Sequence, residues 1–186
     1  MIGYAFCGSF CTHERSVKAL CKIVEAGIQV LPIMSECVYQ TDTKFGEAKD
    51  LIKKVSEICG RDIIHTIVDA EPLGPKIELD ALIISPCTGN TLAKIANGIT
   101  DTAVCMAAKA HLRSDRPLVI ALASNDALSA NLKNIGTLLS RKYVYFTPMC
   151  QDDPQKKPHS LVADFNLLPR TLELAMEGKQ PQKIFQ

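Results

Sequence analysis

Two almost wholly apolar runs constrain the fold of this chain more than any other feature. They are residues 81–85 (Ala-Leu-Ile-Ile-Ser) and residues 117–123 (Pro-Leu-Val-Ile-Ala-Leu-Ala). A strand with one wet face alternates apolar and polar residues, whereas a strand covered on both faces has no need to alternate. The two runs therefore predict parallel strands inside a sheet that helices cover on both sides.

Strand and helix patterns alternate along the rest of the chain. Right-handed crossovers between parallel strands then give a three-layer αβα, Rossmann-like doubly wound sheet. No repeat, linker or low-complexity segment interrupts the pattern, so we expect one domain over residues 1–186. Further strands are predicted at 2–6, 28–35 and 144–149, and helices around 17–26, 45–58, 90–97, 102–113, 127–142 and 161–178.

Single residues predict where several helices begin and end. A glycine that follows a helical pattern favours a left-handed end, and an acidic residue before one favours an N-cap. A proline inside a helical pattern bends or divides the helix. The glycines are Gly27, Gly60 and Gly98, the acidic caps are Asp101 and Asp126, and the proline is Pro169.

Composition excludes several classes of partner. The 21 basic and 20 acidic residues give a formal net charge of +1, so no overall field attracts nucleic acid or an anionic membrane surface. No apolar run approaches the roughly 20 residues of a membrane span. The N-terminus lacks the basic start and long apolar centre of a signal peptide. We expect a cytoplasmic protein with no nucleic-acid or membrane partner.

The eight cysteines predict neither disulfides nor a metal site. The chain is long enough to form a core without covalent staples, and no second pair has the spacing of zinc ligands. Most of these thiols are expected to be small buried apolar groups. Cys7, Cys11 and Cys87 are the exceptions, because they lie on turns that can face a ligand.

Small polar residues follow four of the predicted strands, within 7–12, at Ser35, within 85–91 and within 123–128. Ligands of such folds bind beyond the carboxyl ends of the strands. The first turn lacks a G-x-G-x-x-G sequence, and no acidic residue is placed to bind a ribose, so a dinucleotide is not indicated. The pattern favours a phosphorylated flavin. The alternative is that these residues, Ser9 and Thr12 among them, only cap helices.

The stretch "SPCTGNTLAKIANGITDTAV" (85–104) resembles the P-A-S-A-N-T motif region of the flavoprotein superfamily that includes flavin-containing cysteine decarboxylases and prenylated-flavin synthases. "PLVIALASNDAL" (117–128) looks like a degenerate form of the decarboxylases' P-A-M-N-x-x-M segment. More narrowly, six blocks spread over nearly the whole chain resemble the B subunits of bacterial dipicolinate synthases. They are "DTKFGEA", "DAEPLGPK", "TGNTLAKIAN", "TDTAVCMAAKA", "RPLVIALASNDAL" and "QDDPQKKPHSLVAD".

The resemblance implies a flavodoxin-like sandwich that binds FMN between the subunits of a homo-oligomer, a trimer or larger. When the flavin contacts of the family are transferred to the matching positions of this sequence, Gly8 and Ser9 are expected to contact the phosphate, with Ser35 nearby. Ser124 and Asn125 take the places of Met and Asn in the decarboxylase segment. The residues expected to hold phosphate and ring edge are Ser85, Thr88, Asn90 and Thr91.

One departure from the family pattern separates this chain from the decarboxylases. Their catalytic histidine precedes the third strand, and Lys76 within Pro75–Leu79 stands in its place. A lysine has an ordinary pKa near 10.4, which makes it a poor base but a good partner for a carboxylate. Peptidyl-cysteine decarboxylation is therefore not expected, and the replacement of Met by Ser124 points the same way.

The narrower resemblance implies an oxidoreductase subunit that acts with an A subunit, which carries NAD(P). The reaction is the aromatisation of dihydrodipicolinate to pyridine-2,6-dicarboxylate in the mother cell of a spore-forming bacterium. A dicarboxylate needs cations, for which we select Lys76, Lys156 and Lys157; Lys76 and Asn125 are candidate catalytic residues. The other cationic candidates are Lys44, Lys109, His111, Arg113 and His159, whereas His65 is expected to be an ordinary histidine.

Two alternatives remain open. The chain could be a binding or scaffolding subunit for the A subunit, or a flavoprotein that acts as a prenyltransferase or decarboxylase. The apolar segment 102–110 predicts a contact between protomers next to the flavin, and burial beneath the last helix is the alternative for that segment.

Overall fold

Five parallel strands form the centre of the computed structural model, which describes residues 1–74 and 76–186. Their order is β2-β1-β3-β4-β5, with a reversal of direction along the sheet between β1 and β3. This is the flavodoxin-like order, and it confirms the predicted fold class. The strands are β1 (Ile2–Phe6), β2 (Val30–Met34), β3 (Leu82–Cys87), β4 (Leu118–Ser124) and β5 (Val144–Phe146).

Two short antiparallel strands, which the sequence did not predict, extend the sheet at its carboxyl edge. They are β6 (Met149–Cys150) and β7 (Leu161–Ala163), and β7 pairs with the end of β4 through Ala123 and Ser124. The fifth predicted strand, 144–149, is therefore two strands. The last helix was wrongly predicted to start at residue 161, where β7 begins.

The helices lie in two layers. One apolar core joins the sheet to α1, α3 and α8, and the other joins it to α4, α5, α6 and α7. Both faces of β1, β3 and β4 are buried, as the unbroken apolar runs predicted. The helices are α1 (His13–Glu25), α2 (Glu36–Gln40), α3 (Ala48–Cys59), α4 (Ile67–Ala70), α5 (Gly89–Ala96), α6 (Ala103–Leu112), α7 (Leu132–Leu139) and α8 (Leu168–Met176), with 3₁₀ turns at Phe10–Thr12 and Phe165–Leu167. None of them is long and apolar enough to span a bilayer.

The glycine helix ends are confirmed, and the predicted acidic caps are not. Gly27, Gly60 and Gly98 all have positive φ, the conformation that ends a helix at low steric cost for glycine. Thr102 caps α6 by accepting from the Cys105 N–H at 3.2 Å, while the neighbouring Asp101 pairs with a lysine.

The predictions that Asp126 caps a helix and that Pro169 bends the last helix are also wrong. The carboxylate of Asp126 binds side chains instead of a helix end, because the chain makes further turns and α7 begins only at Leu132. Pro169 lies in the first turn of α8, where its missing N–H has no helical acceptor, so it starts that helix rather than bending it.

The apolar segment at the start of α6 is buried within the chain. Val104, Ala107 and Ala108 are fully inaccessible, packed between the sheet and neighbouring helices that include α4 and α5. The prediction of a contact between protomers from this segment loses its basis, since intramolecular burial accounts for its composition. The covering elements are α4 and α5 rather than the last helix.

Replacing Thr102 with alanine is expected to lower the free energy of unfolding by about 1 kcal/mol, because α6 loses its side-chain cap. The exposed neighbour Asp101 provides the matched control. Asp101→Ala removes only an exposed ion pair and should cost less. Urea unfolding measures both variants, and a larger loss for Asp101→Ala would contradict the cap assignment.

Candidate functional site

The carboxyl ends of four neighbouring strands form a continuous edge, called the rim here, made of the turns at 7–12, 35–36, 85–91 and 124–131. Backbone hydrogen bonds join the first three turns. The N–H of Ser35 donates to the Phe6 carbonyl at 3.0 Å, and the N–H of Cys7 donates to the Pro86 carbonyl at 3.2 Å. The rim therefore includes the β1/β3 reversal, where ligands of such sheets bind.

The third and fourth turns touch at Gly89, the first residue of α5. A Cβ atom on Gly89 would lie 2.5 Å from Ser124 Oγ, 2.6 Å from Asn131 Nδ2 and 2.7 Å from Asp126 Oδ1. Real Cβ atoms do not approach other atoms so closely, so only glycine fits without a shift. The close approach brings the start of α5 directly against the end of β4.

The polar loop 151–160 reaches back over the rim. The backbone carbonyl of His159 accepts from the Leu128 N–H at 2.9 Å, and Lys157 Nζ lies 3.0 Å from Asp152 Oδ2. The hydrogen bond to Asp152 is the main cause that raises the pKa of Lys157, and Cys11 contributes in the same direction. The loop that carries Lys157 is therefore attached to the fourth turn of the rim through the hydrogen bond between His159 and Leu128.

The first turn has the form of an anion cradle. No hydrogen bond within residues 1–74 and 76–186 uses the N–H groups of Gly8, Phe10 or Cys11. The Ser9 hydroxyl makes no capping bond, whereas Thr12 Oγ1 donates to the Ser9 carbonyl at 2.8 Å. Free N–H groups clustered at a tight turn attract anions such as phosphate. Ser9 is thus not explained by capping.

The buried side chain of His13 holds the backbone of this cradle in place. Its Nε2–H donates to the Cys7 carbonyl at 2.8 Å, and its ring lies edge-on to Phe6. Burial lowers the pKa of His13, so the neutral ring is favoured. The sequence analysis missed this residue, since nothing in its pattern distinguishes it from a surface histidine in the first turn of a helix.

The polar side chains of the second turn form hydrogen bonds to the ends of helices. Ser35 is 8% exposed and caps α2 by accepting from the Val38 N–H at 3.4 Å. Glu36 Oε1 accepts from the Ala103 N–H at 3.0 Å and so joins α2 to the start of α6. Both side chains hold helices in place, and a direct ligand contact of Ser35 remains a prediction.

In the third turn, some polar side chains are hydrogen-bonded within the chain and one is exposed to solvent. Thr88 caps α5 by accepting from the Thr91 N–H at 3.2 Å, and its hydroxyl donates to Thr91 Oγ1. Thr91 is 6% exposed, whereas Asn90 is exposed and its amide can face a ligand.

Ser85 lies inside the core and not on the ligand side of the turn. It is fully buried, and its Oγ lies 3.1 Å from Tyr4 Oη and 3.0 Å from Ser16 Oγ. The predicted contact of this hydroxyl with a cofactor is corrected, because a fully buried side chain cannot reach a ligand on the turn. Its role is to join β3 to β1 and α1.

A chain of side-chain hydrogen bonds, also missed, supports the fourth turn. Ser124 Oγ donates to Asp126 Oδ1, and Asn131 Nδ2 donates to Asp126 Oδ2 at 2.9 Å. Asn134 then donates to Asn131 Oδ1 at 2.8 Å. Ser124 is engaged within the chain, while Asn125 is exposed at the rim.

The thiols on the turns differ in exposure. Cys7 and Cys87 are buried, and burial raises the pKa of Cys7 to about 12 and that of Cys87 well above its ordinary value. Both stay protonated at neutral pH, which excludes them as ready nucleophiles. Cys11 is exposed. All eight thiols are free, and the described residues contain no cluster of His, Cys, Asp or Glu that could hold a metal ion.

Lys76 lies away from the rim of its own chain, and its contact with a substrate carboxylate stays a prediction. Gly74 packs against the Ala110 carbonyl near the end of α6, and the Leu79 carbonyl accepts from Arg116 Nη1 at 2.9 Å just before β4. Lys76 therefore lies where the strands begin, at the edge opposite the rim. Pro75, the first residue of that predicted segment, lies outside the described residues.

The remaining cationic candidates are scattered. Lys156 is exposed beside Lys157, and Lys44 lies over the ring of Phe45. His65, which was expected to be an ordinary histidine and not a ligand, stacks on Tyr39. His111 is buried, and its Nε2–H donates to the Pro117 carbonyl at 2.9 Å. The loop that carries Lys156, Lys157 and His159 is hydrogen-bonded to the fourth turn of the rim, and Phe45, next to Lys44, lines a cavity together with Phe10 and Cys11 of the first turn.

A flavodoxin-like sheet with free N–H groups after β1 and exposed amides after β3 and β4 is the arrangement of α/β proteins that bind phosphorylated ligands at the carboxyl edge of the sheet. The Flavoprotein family model matches residues 9–163. The B subunit of dipicolinate synthase from Bacillus subtilis is 45% identical over 183 residues, which are 98% of this chain and 92% of the relative. The chain belongs to the Flavoprotein family and, within it, to the group of dipicolinate synthase B subunits.

Solved structures agree with this assignment. The crystal structure of the dipicolinate synthase B subunit from Bacillus halodurans C matches with a TM-score of 0.91 and 43% identity, over 100% of this chain and 95% of that one. The FMN-dependent cysteine decarboxylase SpaF matches with a TM-score of 0.66 and 22% identity, over 94% and 95% of the two chains. The second likeness shows a shared fold.

Replacing Gly89 with alanine is expected to lower the free energy of unfolding by about 1–3 kcal/mol, because the added methyl group enters the space of Ser124 and Asp126. Gly136 of α7 provides the control, since nothing lies within 4 Å of its Cβ position. Gly136→Ala should stabilise the chain by up to about 1 kcal/mol. Urea unfolding measures both, and equal effects would refute the close contact at the rim.

Proposed function

We propose that this chain, as one domain over residues 1–186, is the B subunit of a dipicolinate synthase. It contributes to the oxidation of dihydrodipicolinate to pyridine-2,6-dicarboxylate with an NAD(P)-binding A subunit, in the mother cell of a spore-forming bacterium. The observation that carries the proposal is the anion cradle of free N–H groups at Gly8, Phe10 and Cys11, beside the exposed amides of the rim. The likeness to the B subunits over nearly the whole chain supports the particular reaction.

The donor set of the rim fits FMN. The N–H groups of Gly8, Phe10 and Cys11, with the hydroxyl of Ser9, would hold the phosphate. Ring carbonyls and nitrogens would accept from or donate to the amides of Asn90 and Asn125, with Thr88 at the edge. Bound FMN supplies an acceptor for a hydride. Ser35, Thr91 and Ser124 would act by holding these turns in place.

The residues of the polar loop would bind the substrate. Lys156 is exposed, and Lys157 is half-exposed on a loop that is hydrogen-bonded to the fourth turn, so the two ammonium groups can meet the carboxylates of a small diacid. Lys76 has no such role within its own chain because it lies at the opposite edge. An amide cannot take a proton at neutral pH, so Asn125 orients a ligand and does not serve as the base.

A homo-oligomer would complete the site. Asn90 and Asn125 are exposed, so a ring bound beside them would be covered by this chain on one side only. A second copy would supply the other wall and exclude water. Light scattering on the FMN-loaded protein tests this arrangement, and a monomer would contradict it.

A second candidate function is a non-catalytic subunit that positions substrate for the A subunit. It is supported by the ion pair of Lys157 with Asp152, which reduces the charge that the loop offers to a diacid. It is also supported by the buried thiols of Cys7 and Cys87, which stay protonated at neutral pH and so offer no nucleophile for catalysis.

FMN binding is tested by titration, with flavin fluorescence and visible absorbance as the readout. The purified protein should bind FMN, and Asn90→Asp should weaken the affinity by at least about tenfold, because a carboxylate repels phosphate and ring carbonyl oxygens. Gln29→Glu makes the same chemical change at the exposed start of β2, on the opposite edge, and should leave the affinity unchanged. A colourless protein that takes up no FMN would exclude the flavin site.

The reaction is tested by measuring dipicolinate formation from the dihydrodipicolinate precursor with this chain, the A subunit and both together. We expect full activity only with both subunits, and loss of activity when FMN is removed. Activity of both subunits that is independent of FMN would support the scaffold function instead. Transfer of a prenyl group from dimethylallyl phosphate to reduced FMN would identify a prenyltransferase.

A further inference from the structure

A second concave site lies on the other helical layer. It is a cavity of about 320 Å³ between the end of α5, one face of α6 and the segment that follows α7. The helices α6 and α7 lead into β4 and β5, so Arg113 and Arg141, which follow these helices, lie toward the edge where the strands begin. The two guanidinium groups therefore lie at the end of the cavity that is farther from the rim.

Three cations from separate parts of the chain converge on this cavity. Lys109 and Arg113 are one helical turn apart on α6, and Arg141 comes from the segment after α7. The sequence placed Lys109 and Arg113 on one face, but the third cation was visible only in the tertiary structure. Residues four positions apart share a helix face, whereas Arg141 is brought in by the packing of α7.

No acidic side chain lines the cavity within the described ranges. Across residues 1–74 and 76–186, none of the three cations lies within 4.0 Å of a carboxylate. By contrast, the neighbouring Lys94 is paired with Asp101 at 2.9 Å. In a chain with a net charge of only +1, this grouping of unpaired cations produces a local positive field.

The rest of the lining suits a ligand with an apolar body. Ile95, Leu112 and Cys105 form part of the wall, and the turn from Gly98 to Thr100 adds a hydroxyl and backbone groups. Ile99 is 47% exposed at the mouth. Such a mixture of apolar wall and a few converging polar groups is typical of small-molecule sites.

We propose that this cavity is a binding site for a small organic dianion, held by Lys109, Arg113 and Arg141. The two guanidinium groups can each bind a carboxylate or phosphate through paired N–H donors, and the ammonium group adds a third charge. A dicarboxylate and a phosphate monoester share this chemistry. The site is independent of flavin and of the rim.

Lysine acetylation of the full-length protein, read by mass spectrometry, tests the site locally. The probes are inorganic phosphate and pyridine-2,6-dicarboxylate, each at up to ~20 mM and at constant ionic strength, so that occupancy becomes measurable for a weak ligand. At least one probe should slow acetylation of Lys109 by about threefold or more, following its occupancy. Lys133, exposed on α7, should react at an unchanged rate.

The variant Arg113→Gln/Arg141→Gln should abolish the protection of Lys109 while acetylation of Lys133 stays the same. If the double variant does not fold, Arg141→Gln alone provides the comparison. Protection by only one probe identifies the ligand as a phosphate or a dicarboxylate. Equal acetylation of Lys109 with and without both probes, or protection that persists in the variant, would overturn the proposal. The acetylation rates of Lys156 and Lys157, measured in the same experiment, report on binding at the rim. A failure of the proposed function at the rim is therefore distinguished from a failure of the proposed binding at the cavity.

Discussion

The contact between Gly89 and the side chains of Ser124, Asp126 and Asn131 determines the shape of the rim. It arises because β3 and β4 are paired in parallel, so the helix that leaves β3 begins against the end of its neighbour. A Cβ atom at Gly89 would force its neighbours to shift, and the carboxylate of Asp126 is held by two donors. The position of α5, and with it of Asn90, follows from this packing.

The polar groups of the rim form two sets: those that are hydrogen-bonded within the chain and those that are free to bind a ligand. Ser35, Thr91, Ser124 and the buried Ser85 satisfy other groups of the chain, which is the usual state of buried polar atoms. The N–H groups after β1 and the amides of Asn90 and Asn125 are left available. A site whose available donors are fixed by engaged neighbours needs little rearrangement to bind a ligand.

Charge is distributed unevenly over a nearly neutral chain. The lysines of the loop 151–160 lie near the fourth turn of the rim, where Asp152 pairs with one of them. Three cations that form no ion pair with any described residue line the cavity on the layer of α5, α6 and α7. The net charge of +1 therefore conceals two local fields. The first lies beside the proposed flavin site, and the second lies on one helical layer, with Arg113 and Arg141 toward the edge where the strands begin.

Local sequence patterns are sufficient to specify the layers of the fold and the segments that form the rim. Unbroken apolar runs, helical periodicity and glycine stops are local signals, and they led correctly to a doubly wound sheet and its four polar turns. Tertiary structure alone decided which polar groups face a ligand. Ser85 and Asn90 share one turn, but β1 and α1 bury the first, while the second stays exposed. It also placed Lys76 at the edge opposite the rim of its own chain and brought Arg141 to the cavity that Lys109 lines. The physical reason is that such distances depend on how helices pack on the sheet, which spacing along the chain does not specify.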